Sequence, residues 1–380
     1  MPKILSRDFM LCSFAQFAFS SVFTMLIPTL PIYLSRSETK EAEIGLLIGI
    51  FSFSSLIFRP LVGRALSNIA ERTFMMVGTL FYIFSSIAYL LAPPFWPLLV
   101  VRIFHGIGLA FFSTAIFTLV SNITPEMHRG QSISYFYLSG NIAFLLGPYL
   151  GILVVNRFNF VVLFLLCTGL SLCSLLITTK LGKKKGIPLR NESPKLQCIL
   201  SREALPASTV TFLLNIIWGS VCAFFPLYAL KNGVSNPGIF FIFSTIPLVL
   251  TRALGGKMLD LYDRRKVVMP CLTTIVVSMI ILACSTTLPM FILVAMMMGT
   301  GWALVTPSLL VYAIENSGSA RGSAMGTFTG LADFGLGIGP MIMGAVLQWT
   351  SYPMMFSCLS LVAVTSCLYF YFTFGRAGRR

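Results

Sequence analysis

The chain reads as an all-α membrane protein, with twelve transmembrane helices in two pseudo-symmetric six-helix bundles. Three observations predict this. The 380 residues are 56% hydrophobic and only 10% charged, whereas a soluble domain carries about 25% charged residues. Apolar runs of about 20 residues, enough to cross a hydrocarbon core, recur with little between them. Finally, the chain repeats itself at an offset of 193 residues. Arg59, Leu61, Gly63, Arg64, Leu66, Arg72 and Met76 fall onto Arg252, Leu254, Gly256, Lys257, Leu259, Arg265 and Met269. The same offset carries Gly106, Gly108 and Ala110 onto Gly299, Gly301 and Ala303.

The spans follow in order. The first, 9–34, is too long for the apolar region of a signal peptide and lacks a small-residue cleavage site. The second, 44–66, and third, 74–91, flank a basic loop opening at Arg59 and closing at Glu71-Arg72. The fourth, 94–121, and fifth, 132–155, are interrupted by Gly and Pro, as path-lining helices often are. The sixth, 161–179, runs into Lys180–Glu203, the one long polar segment. The seventh, 205–230, carries Asn215, Trp218, Cys222 and Phe225 on one stripe. The eighth, 238–259, and ninth, 267–287, flank the second basic loop, which opens at Arg252 and closes at Arg264-Arg265. The tenth, 289–314, holds Trp302. The eleventh, 323–347, holds Asp333, and the twelfth, 353–374, ends before Arg376. The expected organisation is an N-terminal bundle over 1–179, a cytoplasmic linker over 180–203 and a C-terminal bundle over 204–380. No segment is left over for a soluble domain.

The net charge of +15 follows topology, not nucleic acid. With the N-terminus inside and strict alternation, 22 of the 27 Lys and Arg residues fall on inner loops and ends. Arg36, Lys40, Arg157 and Lys231 fall outside, and Arg102 lies within a span. The positive-inside rule then puts both termini in the cytoplasm, and the basic excess faces anionic lipid. Nine cysteines show neither metal spacing nor a CxxC pair, so neither a metal nor a disulfide framework is expected.

Three ionisable side chains lie well inside spans: Arg102, His105 and Asp333. A charge at mid-bilayer costs at least about 2.5–3.5 kcal/mol on insertion scales, which makes such residues functional candidates. Asp333 lies twelve residues beyond Arg321, about 18 Å along a helix and so near the midplane. A desolvated carboxylate there can take up a proton. The competing reading is an acid satisfied by backbone or by Arg102. Arg102 stays protonated and cannot cycle a proton, so its work would be to bias a neighbour or hold an anionic group. His105 is a second titratable group, or a histidine hydrogen-bonded within the bundle.

Four local patterns carry a resemblance that covers the whole chain: Pro28-Thr-Leu-Pro31, the Gly63…Arg72 loop, Arg102-Ile-Phe-His105-Gly106, and Ala143-x-x-x-Gly147-Pro148-x-x-Gly151. In this order the chain resembles the major facilitator superfamily, and more narrowly its twelve-helix drug and metabolite:proton antiporter branch, including sugar-efflux-like permeases. The resemblance implies a substrate path between the bundles and secondary active transport. It also implies gating residues in both loops: Arg59, Gly63 and Arg72, then Arg252, Gly256, Asp260, Arg264 and Arg265. Glu126 and Arg129 in the next inner loop, with Glu315 and Arg321 as counterparts, offer alternative pairs. Ser67, Ala70 and Glu71 depart from the family pattern in the first loop, while the second keeps Asp260. Ordinary solvated loop charges are the alternative.

Gly147, Pro148 and Gly151 in the fifth span correspond to Gly339, Pro340 and Gly344 in the eleventh with small register shifts, and should bend these helices. Asn141 takes the place of Asp333 at offset 192. Proton coupling is therefore expected from Asp333, Arg102 and His105, and substrate binding from Gln16, Asn141, Asn215, Trp218 and Trp302. With 34 Phe and 18 Met, the walls suit a small amphipathic substrate.

No phosphate loop or nucleophile constellation points to an enzyme, and no cofactor is expected. Protons, membrane lipid and a small molecule are the expected partners of a monomer in a bacterial inner membrane. The helix-5 motif favours proton-driven efflux. Proton-coupled uptake, and a non-transporting receptor or assembly factor, are the alternatives.

Overall fold

The computed structural model describes residues 6–66, 68–92, 95–124, 129–182, 201–261, 264–317 and 321–377. They form twelve helices: α1 Arg7–Arg36, α2 Glu41–Ala65, α3 Glu71–Leu91, α4 Trp96–Ile123, α5 Arg129–Arg157, α6 Phe160–Thr179, α7 Leu205–Lys231, α8 Gly238–Leu261, α9 Arg264–Cys284, α10 Leu288–Glu315, α11 Arg321–Trp349 and α12 Tyr352–Ala377. Every end lies within three residues of the expected span. Eleven helices are long and apolar enough to cross a membrane, and the shorter apolar stretch of α8 covers Gly238–Arg252. Among the described residues there is no strand. A bilayer leaves backbone groups no partner but the helix itself, so length and apolarity are sufficient signals.

Local chemistry sets several ends. Ser6 caps α1, its hydroxyl accepting from the Phe9 amide at 3.2 Å. Asn159 caps α6, accepting from the Val162 amide at 2.9 Å. Proline occupies the first turn of α4, α7 and α10, where the missing N–H would be unpaired anyway. The two basic loops are shorter than the sequence suggests. Arg59–Arg64 lies in the last turns of α2, and Arg252–Lys257 lies inside α8. The helices run on through Pro60 in α2 and Gly255-Gly256 in α8, since such residues are tolerated in membrane helices, and a cation such as Arg64 in a last turn suits the helix dipole.

The chain divides into two compact units, one of Met1–Thr39 with Ile50–Ser193 and one of Lys40–Gly49 with Pro194–Arg380. Within the first, α3 packs on α4 and α6, and α1 on α5 and α6. Within the second, α9 packs on α10 and α12, and α7 on α11 and α12. These are the same pairings shifted by six helices.

The repeat extends to individual crossings. A Cβ on Gly106 would meet the Phe51 carbonyl, and one on Gly299 the Ser244 carbonyl, each residue displaced by 193. A Cβ on Gly108 would lie 2.8 Å from the Gly78 carbonyl, and one on Gly301 3.0 Å from the Cys271 carbonyl. Lipid tails are as apolar as the side chains, so such close backbone approach, not solvent exclusion, holds the helices together. Phe19 adds ring packing in the first unit, 3.9 Å from Tyr82 and 3.8 Å from Phe112.

Candidate functional site

In the first unit the polar centre is the seam between α3 and α4. Arg102 is 4% exposed and His105 fully buried. Tyr89, Arg102 and His105 converge: Arg102 Nη1 donates to Tyr89 Oη at 3.4 Å, and Tyr89 Oη lies 3.0 Å from His105 Nδ1. Arg102 Cζ sits 4.4 Å from the centre of the Phe51 ring, a cation–π contact that stabilises a buried guanidinium. The Tyr82 ring is 4.1 Å from His105. Arg102 and His105 thus share one cluster, as their i+3 spacing implies. Tyr82 and Tyr89 were missed by sequence reasoning. Their i+7 spacing on the neighbouring span was the available signal.

Gln16 sits where α1 meets α5. Its Nε2 donates to Ser20 Oγ at 2.8 Å, and a Cβ on Gly140 would lie 3.8 Å away. Asn141, the next residue, is half-buried. Further along, Thr24 Oγ1 donates to the Ala143 carbonyl at 2.9 Å. Gly147 closes against Thr24, and a Cβ on Gly151 would be 2.8 Å from the Met25 carbonyl. Gly147, Pro148 and Gly151 therefore occupy the tightest part of the α1–α5 crossing. The buried Ala143 carbonyl finds a partner in the Thr24 hydroxyl.

The second unit repeats this crossing with α7 and α11. Gly339 abuts Ile216, Gly335 abuts Phe212 and Asn215, and a Cβ on Gly219 would lie 3.1 Å from Pro340 Cδ. Asn215 Nδ2 donates to the Thr211 carbonyl of its own helix at 2.8 Å. Trp218 and Trp302 come together, with ring centres 5.7 Å apart. Further along the α7 stripe Cys222 and Phe225 are buried, and Phe225 packs 4.0 Å from Phe240.

Asp333 is half-buried, the thirteenth residue of 29 in α11. Of the carboxylates in the described helices, it alone stands more than three residues from a helix end. It shares a stripe with Gly337, Pro340 and Gly344, the face that takes the first turns of α2, where Gly45 meets the Pro340 carbonyl and Gly49 the Gly337 carbonyl.

Most of the gating candidates are engaged near helix ends, whereas Arg252 acts from inside α8. Arg59 Nε donates to Ser55 Oγ at 3.3 Å. Arg72 donates to the Leu181 carbonyl at 3.0 Å and to the Thr179 carbonyl, capping the end of α6. Glu71 is buried and accepts from Asn122 Nδ2 at 2.8 Å. Arg252 Nε donates to the Ala303 carbonyl at 3.1 Å. Arg264 pairs with Glu315, and Arg265 lies 4.7 Å from the Tyr371 ring centre. Gly63 faces open space. Glu126, the side chains of Arg129, Asp260 and Arg321, and the surroundings of Gly256 lie outside the described residues.

The family profile of the Major Facilitator Superfamily matches residues 12–249 and 208–379. The staphylopine export protein of Staphylococcus aureus (strain Mu50) is 24% identical over 92% of this chain and 90% of its own length. The quinolone resistance protein NorA of Staphylococcus aureus (strain COL) is 21% identical over 85% of this chain and 86% of its own. Among solved structures, the nucleoside transporter NupG superposes with a TM-score of 0.80 at 15% identity, covering 97% of this chain and 99% of NupG. The chain belongs to the Major Facilitator Superfamily, as an integral multi-pass membrane transporter of small molecules.

Proposed function

We propose that this transporter carries out proton-coupled efflux, exchanging a small amphipathic molecule for protons by alternating access. Asp333 is the observation that carries the reading. It is the one carboxylate far from any end of the described helices, and antiport needs a group that alternates between ionised and neutral. Kinship with a staphylopine export protein over nine-tenths of the chain supports the outward direction. In this reading Asp333 carries the proton, and Arg102 and His105 form a fixed polar centre in the other unit. Gln16, Asn141, Asn215, Trp218 and Trp302 contact substrate: amides for its polar groups, and the Trp218–Trp302 pair for its apolar part. The gating residues near the ends of α2, α3, α8 and α9 bias one state over the other. The protein works as a monomer in the bacterial cell membrane with both termini in the cytoplasm.

Purified protein in proteoliposomes with an acidic lumen, challenged with a panel of amphipathic molecules, tests this. One or more should accumulate in the lumen, and a protonophore should abolish the accumulation. If every transported compound merely equilibrates, with or without the gradient, the coupled reading fails.

A further inference from the structure

The α3–α4 seam holds more polar atoms than its protein contacts satisfy. Tyr82, Ser85, Ser86 and Tyr89 are all at most 2% exposed, and their spacing puts them along one side of α3. Among the described residues, Tyr82 Oη, Ser85 Oγ, Ser86 Oγ and His105 Nε2 are buried without a hydrogen-bond partner. Tyr82 and His105 are also in ring contact. Three unpartnered hydroxyls on one side of α3, one of them on a tyrosine in ring contact with an unpartnered histidine, need partners, because buried polar groups in proteins are nearly always bonded to protein or to ordered water.

The tautomer of His105 follows from its neighbours. A guanidinium has donors only. Arg102 Nη1 points at both Tyr89 Oη, 3.4 Å away, and His105 Nδ1, 3.5 Å away. The Tyr89 oxygen therefore accepts from Arg102 and turns its own hydrogen to Nδ1, 3.0 Å away. Nδ1 is the acceptor, and the ring proton sits on Nε2, the nitrogen without a protein partner. A doubly protonated ring would set an Nδ1–H against the Arg102 donors and leave the Tyr89 hydroxyl nothing to donate to. Among the described residues, the other groups whose charge acts on Tyr82 and Tyr89 are Arg102, Arg59 and Cys167. None is a carboxylate.

We infer that the seam holds ordered water, bound by His105 Nε2–H as donor and by the Tyr82 and Ser86 hydroxyls, and that His105 is a neutral, fixed member of this site. Water fits because it both donates and accepts, and a buried water typically makes about three such bonds. Ser85 lies one position away on the same helix and supplies a further hydroxyl. His105 then acts as a positioning residue, holding Tyr89 and through it Arg102 over Phe51. The inference is independent of transport direction and of Asp333.

The chain has two histidines, so His128→Gln leaves His105 as the sole imidazole. Nitrogen-15 histidine spectra of this variant in lipid vesicles read its protonation directly. The expected result is one neutral ring, protonated at Nε2, unchanged from about pH 5 to pH 8, with magnetisation passing from water protons to Nε2–H. An Nδ1-protonated ring, or titration within that range, overturns the assignment. A neutral Nε2–H ring that receives nothing from water overturns the hydration site. Tyr82→Phe in the same background should move the Nε2 resonance without changing the tautomer, and no movement would count against Tyr82 as a shared partner.

Discussion

Arg264, the first residue of α9, is ion-paired with Glu315, the last residue of α10. At the same two places 193 residues earlier stand Glu71 and Asn122, and there Asn122 donates to the Glu71 carboxylate at 2.8 Å. The contact is kept while its chemistry is exchanged, a cation–anion pair in one half and an amide–anion pair in the other. Glu71 reads in the sequence as a departure from the gating pattern. In the structure it is half of a repeated tie between neighbouring helices.

The two ties should differ in worth. Glu71 is 3% exposed although its partner Asn122 is exposed, and a hydrogen bond to a charged group contributes about 1.5–3 kcal/mol. The side chains of Arg264 and Glu315 are 31% and 58% exposed, and such a pair contributes about 0–1 kcal/mol after screening. Asn122→Ala should therefore lower the unfolding temperature in detergent more than Glu315→Ala does. The reverse order would mean that burial does not set the strength of these ties.

Glycine positions make a second contrast. A Cβ on Gly106 collides with the Phe51 carbonyl and Ser54, whereas Gly63 has nothing within 4 Å. Gly106→Ala should destabilise by about 1–3 kcal/mol through overpacking. Gly63→Ala should be neutral or stabilising by up to about 1 kcal/mol, from helix propensity. Thermal unfolding of the two variants side by side decides it, and equal losses would contradict the crossing.

Asp333→Asn preserves shape and hydrogen-bonding capacity while removing titration. Folding, judged by size-exclusion profile and unfolding temperature, should persist. Gradient-driven accumulation should fall to the level of empty vesicles, while downhill exchange of an uncharged substrate remains. Sustained accumulation by this variant would remove Asp333 from the proton cycle and leave the efflux reading without its carrier.

Topology is open to direct labelling. Single cysteines introduced at Lys184 and Arg380 should react with an impermeant thiol reagent from the cytoplasmic side only, and those at Ser37 and Asn232 from the opposite side only. Ser37 and Asn232 follow the last residues of α1 and α7, six helices apart. Labelling of Lys184 and Ser37 from one side would refute the alternating arrangement.

Hydropathy and repetition determined a great deal here. Twelve spans, their ends within three residues, and the pairing of halves at an offset of 193 were all legible. A membrane allows so few backbone solutions that length and apolarity suffice. The polar residues were legible as exceptions, because an ionisable group within an apolar run stands out. Their partners were not. That Arg72 caps α6, that Tyr89 joins Arg102 to His105, that Trp218 meets Trp302 and that Glu71 takes Asn122 was decided by tertiary structure. Each of these contacts crosses between helices, where register and rotation set distances to within a few tenths of an ångström. Glycine-against-carbonyl packing sets that register, and hydrophobic periodicity along one helix carries no record of it.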